Sequence, residues 1–367
     1  MSDKNLSLLA ESEIREKQRN RNNIILTSRA RLARNISGLK FNSISGEDEK
    51  NYILNLVRNV ATQVPGFKGY RFYAIKKLPK VLRDFLVERH VMSPEMGYRM
   101  AGKGILVGGN IFNGKSDTPG NFKKVVSIMI NEEDHLRIQC VVPGFDIKKP
   151  VKEVMKIERR LEKALNFAFD RHLGYLTSCP TNLGTGLRIS VIAHLPGLVI
   201  SSEMDDFIKT INKLGYGVRG YYGENSEVVG NLFQIFNQVT LGKSEDSMVE
   251  EMQAICLNII DSEERARQEL KKNNLISLED GIYRSYGMLK YARMLSFEEA
   301  LELLSVIKLG VDLNLVDNVK KFNLYELVSF IGDCNIVVNL KRTDKPTEDE
   351  IDLARASLIR KKILKGD

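Results

Sequence analysis

Short runs rich in Val, Ile, Leu and Phe recur along residues 24–241, each bounded by polar or turn-forming residues: ILTSRARLA, KGILVGGN, KVVSIMIN, HLRIQCVVP, LRISVIAHLP and NLFQIFNQVTL. Runs of this length and composition read as strands. KVVSIMIN and HLRIQCVVP meet across the polar string NEED, far too short for the crossover that parallel strands need, so the sheet is expected to be largely antiparallel. Between Pro150 and His172 the period lengthens. Val154, Ile157, Leu161, Leu165 and Ala168 recur at three- and four-residue steps, which predicts a helix over that stretch, laid on the sheet, with Pro150 in its first turn. After Gly242 the strand signals stop. In DSMVEEMQAICLNIIDSEERARQELKK, Val249, Met252, Ile255 or Cys256, and Ile259 share one helical face. Capping patterns from Ser277 to Asp280, Ser296 to Glu299 and Thr347 to Glu350 predict three more helix starts. The pattern as a whole is α+β: a mainly antiparallel sheet flanked by helices over residues 24–245, an α-helical C-terminal domain over residues 246–367, and an N-terminal arm over residues 1–23.

A chain of 367 residues, 43% of them hydrophobic, is long enough for two packed cores. It contains no apolar run of membrane-spanning length and no signal-peptide core, so a cytoplasmic location with no membrane partner is expected. Cys140, Cys179, Cys256 and Cys334 lie tens of residues apart, without zinc-ligand spacing or the density of a disulfide framework. The net charge of +8 comes from 55 Lys and Arg against 47 Asp and Glu, dispersed along the chain, and argues against direct nucleic-acid binding.

Two sets of residues compete for a phosphate-binding role. Gly109 to Ser116 satisfies the P-loop pattern, yet Asp117-Thr118-Pro119-Gly120 follows as a turn, where a P-loop needs a helix N-terminus aimed at the phosphates. The stronger set is arginine: Arg29 and Arg31 in TSRAR, Arg137 in NEEDHLR, Arg188 in CPTNLGTGLR and Arg219 in RGYYGE. Phosphoryl transfer needs charge neutralisation and in-line positioning, and guanidinium forks supply both.

These strings, in this order over residues 24–241, resemble the phosphagen kinases, the ATP:guanidino phosphotransferases, and within them the bacterial protein-arginine kinases of the McsB type. The resemblance implies a glutamine-synthetase-like catalytic domain that moves the γ-phosphoryl group of ATP onto protein arginine, with Mg²⁺ held mainly by the nucleotide phosphates rather than by a protein metal site. It places the nucleotide on Thr27, Ser28, Arg29, Ala30, Arg31, His90, Arg137, Arg188, Ile189, Ser190, Val191, Ile192, Arg219, Gly220, Tyr221, Tyr222, Gly223 and Glu224.

On the acceptor side, a guanidinium with a pKa above about 12 must lose a proton to attack phosphorus. The resemblance assigns Glu133 and Glu224 to bind the fork and take that proton. It gives Cys179, in an electropositive polar turn that favours the thiolate, a supporting charge. It also implies a stress-response setting with a zinc-containing activator, a transcriptional repressor, a Clp protease and a homodimer. Small-molecule relatives place a helical domain before their Ser-Arg-x-Arg string, whereas Ser28 here follows only 27 residues, which implies an acceptor side open to proteins. Two departures stand out. The family's C-terminal Arg-Asp-x-x-Arg-Ala string, which binds phosphoarginine, corresponds to Ile351-Asp352-x-x-Arg355-Ala356, leaving Asp352 and Arg355 as the candidates. The Gly102 to Phe122 region is also longer than the family pattern. The rival readings are a small-molecule guanidine kinase and a catalytically idle scaffold.

Overall fold

The computed structural model describes residues 24–108, 124–221, 228–340 and 346–364. In chain order it runs β1 (Ile25–Arg34), α1 (Glu47–Gln63), β2 (Tyr70–Ala74), α2 (Lys80–Glu88), β3 (Gly104–Gly108), β4 (Val125–Ile130), β5 (Leu136–Pro143) and α3 (Lys148–Leu161). It continues through β6 (Phe169–Asp170), β7 (Gly174–Tyr175), β8 (Leu187–His194), α4 (Pro196–Ile200), α5 (Met204–Lys213), β9 (Tyr216–Gly220) and β10 (Leu232–Asn237). The rest is helical: α6 (Glu245–Asn273), α7 (Leu275–Tyr291), α8 (Phe297–Asp312), α9 (Leu324–Ile331), α10 (Asp333–Leu340) and α11 (Glu348–Ile363).

The main sheet has eight strands in the order β2-β3-β4-β5-β1-β8-β10-β9, and every neighbouring pair is antiparallel. All six apolar runs are strands, and NEED is the β4–β5 turn. The central strand is β1, paired on both edges. Its odd and even residues divide the work. Ala30 and Leu32 join Ile138, Cys140, Ile189, Val191 and Ile235 in one core with α1, α3 and the first turns of α6. Arg29 and Arg31 take the other face, because side chains alternate across a strand.

Helix α3 stops at Leu161, short of the length its apolar spacing predicts. Leu165 still enters the core, but Ala168 N–H donates to Asn35 O, Leu176 N–H donates to Ala168 O, and Phe167 bridges to Ile36. Those pairings take the backbone groups a helix would need. Strands β2 and β9 did not show in the apolar pattern, β2 because it is half-exposed, β9 because YGVRG carries two glycines.

Helix α6 has Ser244 as N-cap and runs to Asn273. It feeds both cores, with Met252, Cys256 and Ile259 in the sheet-side core and Leu270 in a second core built with α7, α8, α9 and α11. Ser296 and Thr347 cap as their patterns predict, Thr347 in a complete capping box. Ser277 does not, because α7 begins at Leu275 directly after α6 and Ser277 lies inside its first turn. Among the described residues no helix is long and apolar enough to cross a membrane.

Candidate active site

The sheet face opposite the core carries the chemistry. Register places Arg31 opposite Arg188 and Arg29 opposite Ser190 on β8, and Arg31 opposite Gln139 on β5, two residues from Arg137. Gln234 on β10 faces Arg219 on β9. Five arginines from four strands therefore converge on one surface. They line a cavity of about 1170 Å³ with His90, Tyr221, Glu132 and Glu133; α2 and Cys334 of α10 form the far wall. Arg29 Nε donates to Ser190 Oγ at 3.1 Å, Arg219 Nε donates to Gln234 Oε1 at 2.9 Å, and the Arg188 and Arg219 guanidiniums flank the Phe236 ring. Gln139, which no sequence string marked, sits two residues beyond Arg137, where the strand period puts it on the same face, as Ser190 sits two residues beyond Arg188.

The electrostatics are those of an anion site. Burial, then the Arg219 charge, lowers the Arg29 guanidinium to about 10; burial and Arg29, Arg137, Arg188 and Arg219 lower Arg31 further. Among the described residues Arg31 has no acceptor within hydrogen-bonding distance, so its repulsion from its neighbours stands unrelieved. A polyanion in the cavity relieves it. His90 closes one side in a left-handed backbone conformation, φ 52°. Its carbonyl accepts from Gln139 Nε2 at 2.6 Å and its ring meets Tyr221 edge-on with centroids 4.7 Å apart. Burial and the surrounding arginines push the imidazole down to about 3, so it presents a neutral ring. Among the described residues no group of His, Cys, Asp and Glu could hold a metal ion; the donor set suits phosphate oxygens.

At the cavity edge the β4–β5 turn brings up the carboxylates. Glu132, which nothing in the local sequence distinguishes, is buried and accepts from Arg137 Nη1 at 2.6 Å, Ser93 Oγ at 2.7 Å and the Glu133 N–H at 2.7 Å. Glu133 meets Arg137 Nη2 at 3.1 Å while its side chain stays 41% exposed. Burial raises its carboxyl above the ordinary value against the pull of Arg137, the direction that suits a proton acceptor. Cys179 precedes the short 3₁₀ turn Pro180–Asn182, half-buried, with Sγ 3.0 Å from Thr181 Oγ1. The glycines of CPTNLGTGLR are structural: at Gly186, φ +62°, a Cβ would lie 2.6 Å from the buried Arg34 guanidinium and 2.7 Å from Ala33 O.

The remaining candidates divide. Ala30, Ile189 and Val191 alternate to the opposite face and are buried in the core, so their side chains do not reach the cavity. Ile192 packs with Leu26, Tyr221 and Leu232 against the C-terminal helices. Thr27 is buried, and Ser28 Oγ donates to Gly144 O at 2.8 Å and accepts from Asp146 N–H at 3.1 Å, tying β1 to the turn after β5. Gly220 ends β9. Tyr222, Gly223, Glu224 and the P-loop-like string at 109–116 lie outside the described residues. Asp352 and Arg355 sit away from the cavity. Arg355 is buried, donates to Ile331 O at 2.8 Å and Leu295 O at 2.7 Å, and pairs with Asp333 and Asp352. Its guanidinium thus ties α9, α10 and α11 together from inside.

The family "ATP:guanido phosphotransferase, C-terminal catalytic domain" matches residues 52–266, and the "Protein-arginine kinase McsB C-terminal domain" matches residues 275–366. The chain is 38% identical to the protein-arginine kinase of Pelotomaculum thermopropionicum over 92% of each chain. It is 40% identical to that of Geobacillus stearothermophilus over 93% of this chain and 90% of the relative. Among solved structures, the duplicated taurocyamine kinase of Schistosoma mansoni with bound transition state analog components is similar at a TM-score of 0.58 and 26% identity, covering 73% of this chain and 38% of that one. Lombricine kinase, at a TM-score of 0.53 and 24% identity, covers 68% of each chain and shows the shared fold.

Proposed function

The chain belongs to the ATP:guanido phosphotransferase family, and from that premise we propose that it transfers the γ-phosphoryl group of ATP to arginine side chains of proteins, forming phosphoarginine. The observation that carries this reading is the convergence of five arginines on one sheet face with a partly exposed, raised-pKa carboxylate at its edge. Arg29, Arg31, Arg137, Arg188 and Arg219 bind the polyphosphate and spread the charge of the migrating group. Mg²⁺, carried mainly by the nucleotide phosphates, adds charge neutralisation when bound. Glu133 binds the acceptor guanidinium, orients one nitrogen in line, and takes its proton as the N–P bond forms and the bond from the γ-phosphorus to ADP breaks. Glu224 is proposed as the second carboxylate and Cys179 as a supporting charge.

Protein rather than free arginine is the proposed acceptor. The full-length relatives carry the name protein-arginine kinase, and Glu133 is accessible at the cavity mouth. On the same kinship we propose a stress-response setting in the cytoplasm, with a zinc-containing activator, a transcriptional repressor and a Clp protease as partners and a homodimer as the assembly.

Incubation with ATP and an unstructured arginine-containing protein should give an acid-labile N–P signal by phosphorus NMR. Glu133→Gln should retain ATP binding and lose at least about 100-fold in turnover, within the range of general-base contributions. Free arginine should be poorer in kcat/KM by at least about 100-fold, or roughly 2.7 kcal/mol. Comparable values for the two acceptors would reassign the chain to free guanidines.

A further inference from the structure

We infer that Asp134 is a positioning residue that sets the Cys179 segment against Glu133, through a buried knot closed by Asn35. This rests on the acceptor-side roles given above to Glu133 and Cys179.

Asp134 adjoins Glu133 in the β4–β5 turn and is 1% exposed. Its Oδ1 accepts from the Ser178 N–H at 2.6 Å, one residue before Cys179, and from Asn35 Nδ2 at 2.7 Å. Asn35 follows β1, the strand bearing Arg29 and Arg31. Its Nδ2 also donates to Leu176 O at 3.1 Å, and its Oδ1 accepts from the His135 N–H at 2.9 Å. Next in line, His135 Nδ1 accepts from Ile36 N–H at 3.0 Å, leaving Nε2 to donate to Lys40 O at 2.8 Å. One polar cluster therefore binds together the end of the phosphate-binding strand, the turn of the proton acceptor and the approach to the thiol.

Fold stability alone does not account for this buried acceptor. Asp134 Oδ2 is buried with no hydrogen-bond partner, and a buried carboxylate with an unpartnered oxygen costs stability. Its Oδ1, however, supplies short bonds to two segments at once, a geometry that fixes the thiol relative to the carboxylate. Such placement matters because a displacement of about 1 Å costs on the order of 100-fold in rate.

The test uses the full chain with ATP and an unstructured arginine-containing protein. Asp134→Ala should lower kcat at least about tenfold with KM for ATP within about twofold, since the phosphate cradle hangs on other bonds. Alkylation of Cys179 by iodoacetamide should change rate by at least about threefold. Asp134→Asn, which keeps the Oδ1 acceptor, should restore most of kcat. If Asp134→Ala does not fold by circular dichroism, Asn35→Ala puts the same question to the other half of the knot. Unchanged kcat in a folded variant would overturn the inference. So would a loss of kcat matched by an equal rise in KM for ATP with Cys179 labelling unmoved, the mark of a purely structural role. Glu133→Gln separates the two levels: if it turns over normally, the acceptor-side reading falls and this inference with it; if it is inactive while Asp134→Ala is normal, only this inference falls.

Discussion

Arg31 offers the plainest test at the scale of one residue. It is crowded by four other arginines and has no acceptor within hydrogen-bonding distance among the described residues. Its charge is held at a cost in free energy that, on the proposed function, a bound phosphate would return. Arg31→Ala should therefore weaken ATP binding by about 10- to 100-fold, the equivalent of a lost charge-assisted hydrogen bond of about 1.5–3 kcal/mol, while leaving the melting temperature unchanged or raised. Calorimetry with ATP decides it, with Lys115→Ala as the contrast. Should Lys115→Ala prove the more damaging change, the phosphate site lies elsewhere. Glu132 shows the limit of reading residues singly. In the string NEED nothing marks the first glutamate as buried, and only the fold brings Ser93 to one oxygen and Arg137 alongside it.

Elements meet the site through the end of α2. Glu88 accepts from the Cys334 and Asn335 N–H groups at 2.8 Å and 3.1 Å, capping α10 from another part of the chain, and Arg89 Nη2 donates to Asn335 Oδ1 at 2.6 Å. The next residue is His90, on the cavity wall. Glu88→Ala should remove the cap and the favourable charge at a helix N-terminus, lowering stability by about 1–2 kcal/mol, read as a drop in melting temperature. It should also weaken ATP binding by a few fold through His90. A melting temperature within about a degree of the parent would show that α10 holds without this cap, since 1 kcal/mol shifts a domain of this size by about 2–4 °C.

At the scale of the molecule, three histidines are held neutral. Burial is the first cause in each case, joined by arginines at His90 and by Arg267 and Lys308 at His194, while at His135 the Lys40 carbonyl and Asp134 pull partly the other way. Their folded pKa values lie below the unfolded value of about 6.5. The unfolded chain thus binds more protons as pH falls through that value, and stability present above it is lost below it. The slope approaches about 1.4 kcal/mol per pH unit for each histidine; Glu133 and Glu263, raised by burial, pull the other way and make this an upper figure. Melting temperature should be flat between about pH 7 and 8, below the range in which the thiols Cys140, Cys256 and Cys334, raised by burial, begin to cost stability, and should fall between pH 6.5 and 5.5. A flat profile through that interval would contradict the neutral assignment.

Local pattern determined a good deal of this protein. Short runs rich in Val, Ile, Leu and Phe set the strands and the four-residue NEED turn set the antiparallel sense of the pair it joins, while Ser296 and Thr347 set two helix starts. The arginine strings marked the five residues that the fold gathers on one sheet face. These are properties of neighbours in sequence, governed by side-chain period and chain reach. What only the tertiary structure decided is the content of the site's far side. Alternation tells that Arg188 and Ile189 face opposite ways, but which face meets a core depends on what packs there, and so Ala30, Ile189 and Val191 left the candidate site. Asp134 reaches Ser178 across 44 residues and Asn35 across 99, and Arg355 turns inward to three partners on other segments, Ile331, Leu295 and Asp333. No local propensity encodes such pairs. They exist only once the core has closed and buried polar groups must find partners wherever the fold has placed them.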